Sequence, residues 1–114
     1  MSGGTFDYYQ YKLHEISEII ESEILKSGRE KTEDEIKNEI KYQYISQPDK
    51  FYPTLPDEVL EKFKHAYKLI KETEIYIHRI DWLLSGDDGN ETFLERLKND
   101  LHTLEAELKI KNYD

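Results

Sequence analysis

Residues 56–84 read PDEVLEKFKHAYKLIKETEIYIHRIDWLL. Within them Val59, Phe63, Ala66, Ile70, Thr73, Ile77, Ile80 and Leu84 recur at intervals of three and four, which puts them on one face of a helix. Pro56 suits the first turn, and Asp57 and Glu58 complement the positive end of the helix dipole. The apolar face runs over roughly 27 residues, about 40 Å at the α-helical rise. No other segment is as long, so this helix is the expected spine of the fold.

Working outward, Ser85-Gly86-Asp87-Asp88-Gly89-Asn90 breaks the spine, and Asp88 with Glu91 has the spacing of a capping box. Leu94, Leu97, Leu101, Leu104 and Leu108 then alternate three- and four-residue steps, the rhythm of a coiled-coil seam. Two partners for that seam stand open: the spine helix of the same chain, or an equivalent helix of another subunit. On the amino-terminal side, Phe6, Tyr9, Leu13, Ile16, Ile20 and Ile24 mark a first helix that Gly28 ends in the usual position for positive φ. Thr32-Glu33-Asp34-Glu35 is a capping box that starts a second helix, with Ile36, Ile40 and Tyr44 as its buried stripe. Pro48 biases Gln47 away from helix, and Pro53 and Pro56 stiffen a loop whose Phe51 and Tyr52 are expected to pack back on the bundle. The expectation is one all-α domain over residues 1–114. It is a small helical bundle built on a long antiparallel hairpin, with helices at about 6–27, 33–46, 56–84 and 91–111.

Composition narrows the function. The chain has 114 residues, a net charge of −9 and no cysteine. The acidic balance argues against direct non-specific binding to nucleic acid or anionic lipid, which needs clustered Lys and Arg. Absence of cysteine removes thiolate chemistry and fits the reducing cytoplasm. No run approaches the roughly 20 apolar residues of a membrane span, and no secretory leader pattern opens the sequence. Nucleophile elbow, P-loop and dinucleotide turn are all missing. His14, His65, His78 and His102 lack the spacing of a zinc pair, and Asp87, Asp88, Asn90 and Glu91 lack that of a calcium loop. No enzyme activity, cofactor or metal is therefore expected. Lys64, Lys68 and Lys71 share a helix face, but interleaved glutamates make it a solvated, ion-paired one.

Two segments stand out as candidate sites. In Ser2-Gly3-Gly4-Thr5-Phe6-Asp7-Tyr8-Tyr9-Gln10-Tyr11, four aromatics within six residues cannot all face one core. Phe6, Tyr8 and Tyr11 are candidate stacking surfaces for a base or a partner. In the second, Arg79, Asp81, Trp82 and Ser85 gather an anion-binding guanidinium, a carboxylate acceptor, the only Trp and a hydroxyl. Arg79 and Asp81 lie two positions apart, about 200° around a helix axis, so they point to opposite sides and cannot line one pocket within a monomer. A ligand site using both must span subunits. On that reading Arg79→Ala removes ligand binding and spares stability.

Gly3-Gly4-x-Phe6-Asp7-Tyr8-x-x-Tyr11 and Arg79-Ile80-Asp81-Trp82-Leu83-Leu84-Ser85-Gly86-Asp87-Asp88-Gly89 together resemble a family of small proteins encoded by bacteriophages and prophages. That resemblance implies a phage accessory protein, a class that often blocks host defence. The leading expectation is an anti-defence homo-oligomer that sequesters a small nucleotide-derived immune signal without cleaving it. The alternative is an acidic helical inhibitor or DNA mimic that binds a host nuclease or other defence protein.

Overall fold

A computed structural model of the chain describes the backbone from residue 7 to 114 and the side chains from residue 10 onward. Phe6, and the side chains of Tyr8 and Tyr9, lie outside the described residues. Four helices follow in order: α1 Asp7–Lys26, α2 Glu33–Tyr42, α3 Asp57–Leu84 and α4 Asn90–Lys111. Among the described residues there is no strand beyond an isolated antiparallel bridge between Glu30 and Phe51. None of the helices is long and apolar enough to cross a membrane.

Helix α3 is the spine, 28 residues long, with α1 packed on it and α4 returning antiparallel to it. The return is made by a tight cap. Gly86 takes φ +81°, its N–H donates to the Leu83 carbonyl, and the Asp87 N–H donates to the Trp82 carbonyl. This pair of bonds satisfies the last carbonyls of α3 and turns the chain. Helix α4 then starts not on Asp88 with Glu91, as the spacing suggested, but on Gly89, whose N–H donates to the Thr92 hydroxyl at 3.0 Å. Asp88 is taken by Arg96 instead, at 2.6 Å.

The core is small and lies where α1, α3 and α4 converge: Tyr67, Leu104, Leu108 and Tyr113, flanked by Ile20, Ile24 and Ile75. Tyr113 belongs to it because the chain does not end when α4 does. Asn112 adopts the left-handed conformation at φ 60°, and the Tyr113 N–H reaches back to the Leu108 carbonyl. The Tyr113 ring thereby meets the Tyr67 ring edge-on, 5.3 Å between centroids. Lys111 closes the junction, donating to Glu21 at 2.8 Å and to the Tyr67 hydroxyl at 3.3 Å. Glu21 above all holds the Lys111 ammonium above its ordinary range, and burial raises the Tyr113 hydroxyl.

The spine's apolar face is less buried than its spacing predicted. Val59, Thr73 and Leu84 are exposed and Phe63, Ala66, Ile70, Ile77 and Ile80 half-buried, while the fully buried positions of α3 are Tyr67 and Asp81. The reason is coverage: α1 and α4 both sit toward Tyr67, so the far side of α3 has no neighbour.

Helix α2 departs furthest from expectation. It ends at Tyr42 rather than 46, because Tyr44 turns left-handed at φ 56° and the Ile45 N–H bends back to the Glu39 carbonyl. It packs on none of the other helices and buries no residue; Ile40 and Tyr44 of its expected buried stripe are exposed, Tyr44 to 89%. Polar contacts hold it. Thr32 and Glu35 form the expected capping box. Glu35 also receives the Tyr52 hydroxyl at 2.6 Å and Arg29 at 2.8 Å, and Lys31 pairs with Glu39 at 2.9 Å. Phe51 is exposed, but the Tyr52 ring sits under Lys26, Arg29 and Lys31, each within 5.4 Å of its centroid. The turn at Gly28, φ +70°, anchors this loop: its N–H donates to the Pro53 carbonyl, and a Cβ there would come within 2.9 Å of the Thr54 hydroxyl.

Two outcomes are expected. Tyr113→Ala lowers unfolding stability by about 3 kcal/mol, as for a buried aromatic truncation. The urea midpoint measures it, and a shift within the roughly 0.5 kcal/mol of a surface substitution would place the ring outside the core. The second concerns acid. The Thr32 backbone N–H, the Tyr52 hydroxyl and Arg29 together hold Glu35 down at about 2, against 4.5 in the unfolded chain. A depressed carboxyl stabilises above its unfolded value, so this contribution is complete above pH 4.5 and disappears as pH falls from 4.5 toward 2. The protection of the amides in residues 33–42, taken relative to the intrinsic exchange rate at each pH, therefore falls across that window, and in Glu35→Gln it is already low at neutral pH.

Candidate functional site

The second candidate segment lies where the carboxy-terminal half of α3 faces the start of α4. Folding the chain about the 85–89 turn sets Ile75 against Leu104 and Arg79 against Asp100. Arg79 meets Asp100 with two donors, Nε at 2.6 Å from Oδ2 and a terminal nitrogen at 3.3 Å from Oδ1. This paired-fork geometry is the strongest form of the interaction, and the Arg79 side chain is mostly buried. Its guanidinium carbon lies 5.3 Å from the Trp82 ring centroid, and that of Arg96 lies 5.9 Å from it. His78 leans on the same ring at 5.3 Å. Trp82 is thus bordered by two cations, each already bound to a carboxylate, Asp100 for one and Asp88 for the other.

Asp81 faces away from this group, as the helical spacing requires. It is fully buried toward α1, where the Gln10 side-chain amide donates to it at 3.4 Å. Arg79 and Asp81 therefore lie on different sides of α3, one against α4 and the other toward α1. Ser85 caps α3 through its backbone and is exposed. Tyr11 is exposed on α1. Among the described residues no group of three or more His, Asp or Glu side chains is arranged to hold a metal ion.

Sequence reasoning missed Asp100, Arg96 and Asp88, the partners that complete the Trp82 group. The signal was available in the register: once α3 and α4 pair about the turn, 79 must stand opposite 100. It also missed the outward face of α1. There Glu15, Glu18, Ser22, Glu23 and Lys26 surround Ile19 in a shallow open depression, with Ile16 beside it. Ile19 is 63% exposed and Ile16 45%. Lys12 pairs with Glu15 at 3.8 Å, and Lys26 is turned toward the Tyr52 ring. His14 is 3.0 Å from Glu18 and cancels its charge only when protonated. The face is apolar at its centre, with three carboxylates and the Lys26 ammonium around it.

The Arg79 pairing changes what a truncation does. Arg79→Ala strips two charged hydrogen bonds from a largely buried site and lowers stability by about 1–3 kcal/mol. Arg79→Lys recovers only part, because an ammonium cannot reproduce the fork. Denaturation midpoints of the two variants check this, and an unchanged midpoint for Arg79→Ala would mean the pair does not hold the hairpin. Comparison of the chain with protein-family models, curated proteins and solved structures gave no match.

Proposed function

We propose that this protein is a non-catalytic binder whose acidic α1 face docks on a basic protein surface; with its resemblance to phage-encoded proteins, the partner is a host defence protein such as a nuclease. The observation that carries the reading is the pair of exposed isoleucines, Ile16 and Ile19, ringed by Glu15, Glu18 and Glu23. Apolar anchors inside a charged rim are the usual anatomy of a protein interface. Charge alone does not suffice for DNA mimicry. A net −9 along a 58 Å body is several-fold sparser than the duplex's one charge per about 1.7 Å. The glutamates then steer and orient, and the isoleucines supply the affinity.

Sequestration of a nucleotide-derived signal is the second reading. It is favoured by Arg96, whose half-exposed guanidinium lies over Trp82 and is the first cation an incoming phosphate meets there. It ranks second because Asp88 and Asp100 already neutralise both arginines of that group.

The two readings separate in one set of measurements. Inhibition of purified bacterial nucleases is expected for the wild type, weakening with salt, and is lost in Glu18→Lys/Glu23→Lys. No shift in melting temperature is expected with cyclic dinucleotides or cyclic ADP-ribose isomers. A nucleotide that raises the melting temperature would put sequestration in its place, because a ligand that binds only the folded state stabilises it by mass action. Inhibition that survives the charge reversal would remove the α1 face from the mechanism.

A further inference from the structure

The bare side of α3 has a pattern of its own. Leu69, Thr73, Tyr76, Ile80 and Leu83 step by four, three, four and three residues, a heptad seam that shares Thr73 and Ile80 with the stripe read from the sequence and leaves out Tyr67 and Ile75, which meet the core. Leu69 is 48% and Tyr76 44% exposed, although the chain is otherwise short of buried surface. The adjoining edge of α4 continues the face. Leu94 is 63% exposed and Leu101 half-buried, and Tyr76, Leu101, Leu104 and Leu108 line one open groove between the two helices. The leucine heptad of α4 is therefore shared. Leu104 and Leu108 are consumed by α3, Tyr67 and Tyr113, whereas Leu94 and Leu101 look outward.

We propose that this face, the outer seam of α3 with Leu94 and Leu101 of α4, is the interface on which a second copy of the chain docks, two hairpins forming one four-helix core. Three observations select a second copy over another occupant. The first is area. The chain exposes 8424 Å², whereas a globular monomer of 13.7 kDa exposes about 6,600 Å². Even with residues 1–6 set aside at the surface of a fully extended chain, about 850 Å², the excess remains about 970 Å². Part of that excess belongs to α2, which packs on no other helix, and a stable dimer removes about 800 Å² from each partner. The second is charge. The groove is edged by Lys68 and Glu72 on α3, by Glu105 and Lys109 on α4, themselves 3.7 Å apart, and by Asp114 beyond it, so both signs stand on both helices. A two-fold axis presents the same patch to itself, and such an edge lets each cation meet a carboxylate of the other copy. The third is pattern, since knobs at heptad spacing on two antiparallel helices are the half-core of a four-helix bundle. This inference stands apart from the α1 reading, because α1 covers a different side of α3.

The test is the mass in solution. By light scattering at micromolar concentration the wild type has twice the 13.7 kDa chain mass, and Leu69→Glu/Tyr76→Glu has the single-chain mass with unchanged far-ultraviolet helicity. Both positions are half-exposed in the single chain, so the hairpin itself tolerates the change. If that variant loses helicity, Leu94→Glu on the same face gives the same readout from a still more exposed position. Ile19→Glu, on the outward face of α1, keeps the double mass. A wild type at 13.7 kDa throughout the micromolar range overturns the proposal. So does a double mass that survives the folded α3 variant or Leu94→Glu, or one that Ile19→Glu abolishes.

Discussion

The contact on which the rest of the molecule depends is the Tyr67 junction. Tyr67 stands on the side of α3 where α1 and α4 both arrive, and Lys111 spans the gap by bonding Glu21 of α1 and the Tyr67 hydroxyl at once. Tyr113 is folded under it by the left-handed turn at Asn112. With α1 and α4 drawn to one side, the opposite side of the spine is left without cover. The elongated body, 58 by 28 by 19 Å, follows from that asymmetry, as does a radius of gyration of 18.5 Å where about 13 Å is usual for this length.

Helix α2 is held on other terms. It has no buried side chain, so nothing comparable to the 1.5–3 kcal/mol of a fully buried aliphatic side chain contributes to its place. The contacts of Glu35, Tyr52, Arg29, Lys31 and Glu39 are specific in geometry, but a solvent-facing ion pair such as Arg29–Glu35 contributes only about 0–1 kcal/mol, and Lys31–Glu39 is the one pair of this group that is largely buried. Their donors hold Glu35 ionised, and the same hydrogen bond pushes the Tyr52 hydroxyl up to about 12. An element fastened this way belongs to the low-stability end of the structure, where local opening precedes global unfolding.

These differences also account for what could be read in advance. Helix boundaries set by a local backbone requirement were legible: Gly28 and Gly86 take positive φ where the glycines stand, and Thr32 caps α2. So was the divergence of Arg79 and Asp81, since it follows from helical periodicity alone. Tyr44 at positive φ was not, because a bulky aromatic is the wrong residue for that conformation and only the bond from Ile45 back to Glu39 reveals it. Asp88 had the right spacing for a cap, but Arg96 offered its carboxylate a charged partner. The apolar stripe of α3 fixed its length and not its buried side, because periodicity counts apolar residues and does not say which neighbour arrives. The Arg79–Asp100 pair depends on the register of two helices, which no single window of sequence contains.

Charge then decides which exposed apolar face can serve which purpose. The α1 face surrounds Ile16 and Ile19 with carboxylates, so bringing two copies together there sets like charges against each other at the cost of several kcal/mol. That face disfavours a copy of itself and suits a basic partner. The α3–α4 face carries Lys68, Glu72, Glu105, Lys109 and Asp114 around its leucines, a mixture of signs that a two-fold axis can match against itself. Apolar area makes both surfaces sticky, and the sign pattern at their edges sorts them. A dimer built on the second face keeps the first one free on each chain and so presents two acidic faces. Two such faces bound together to a symmetric or repeated target gain effective concentration without any new contact.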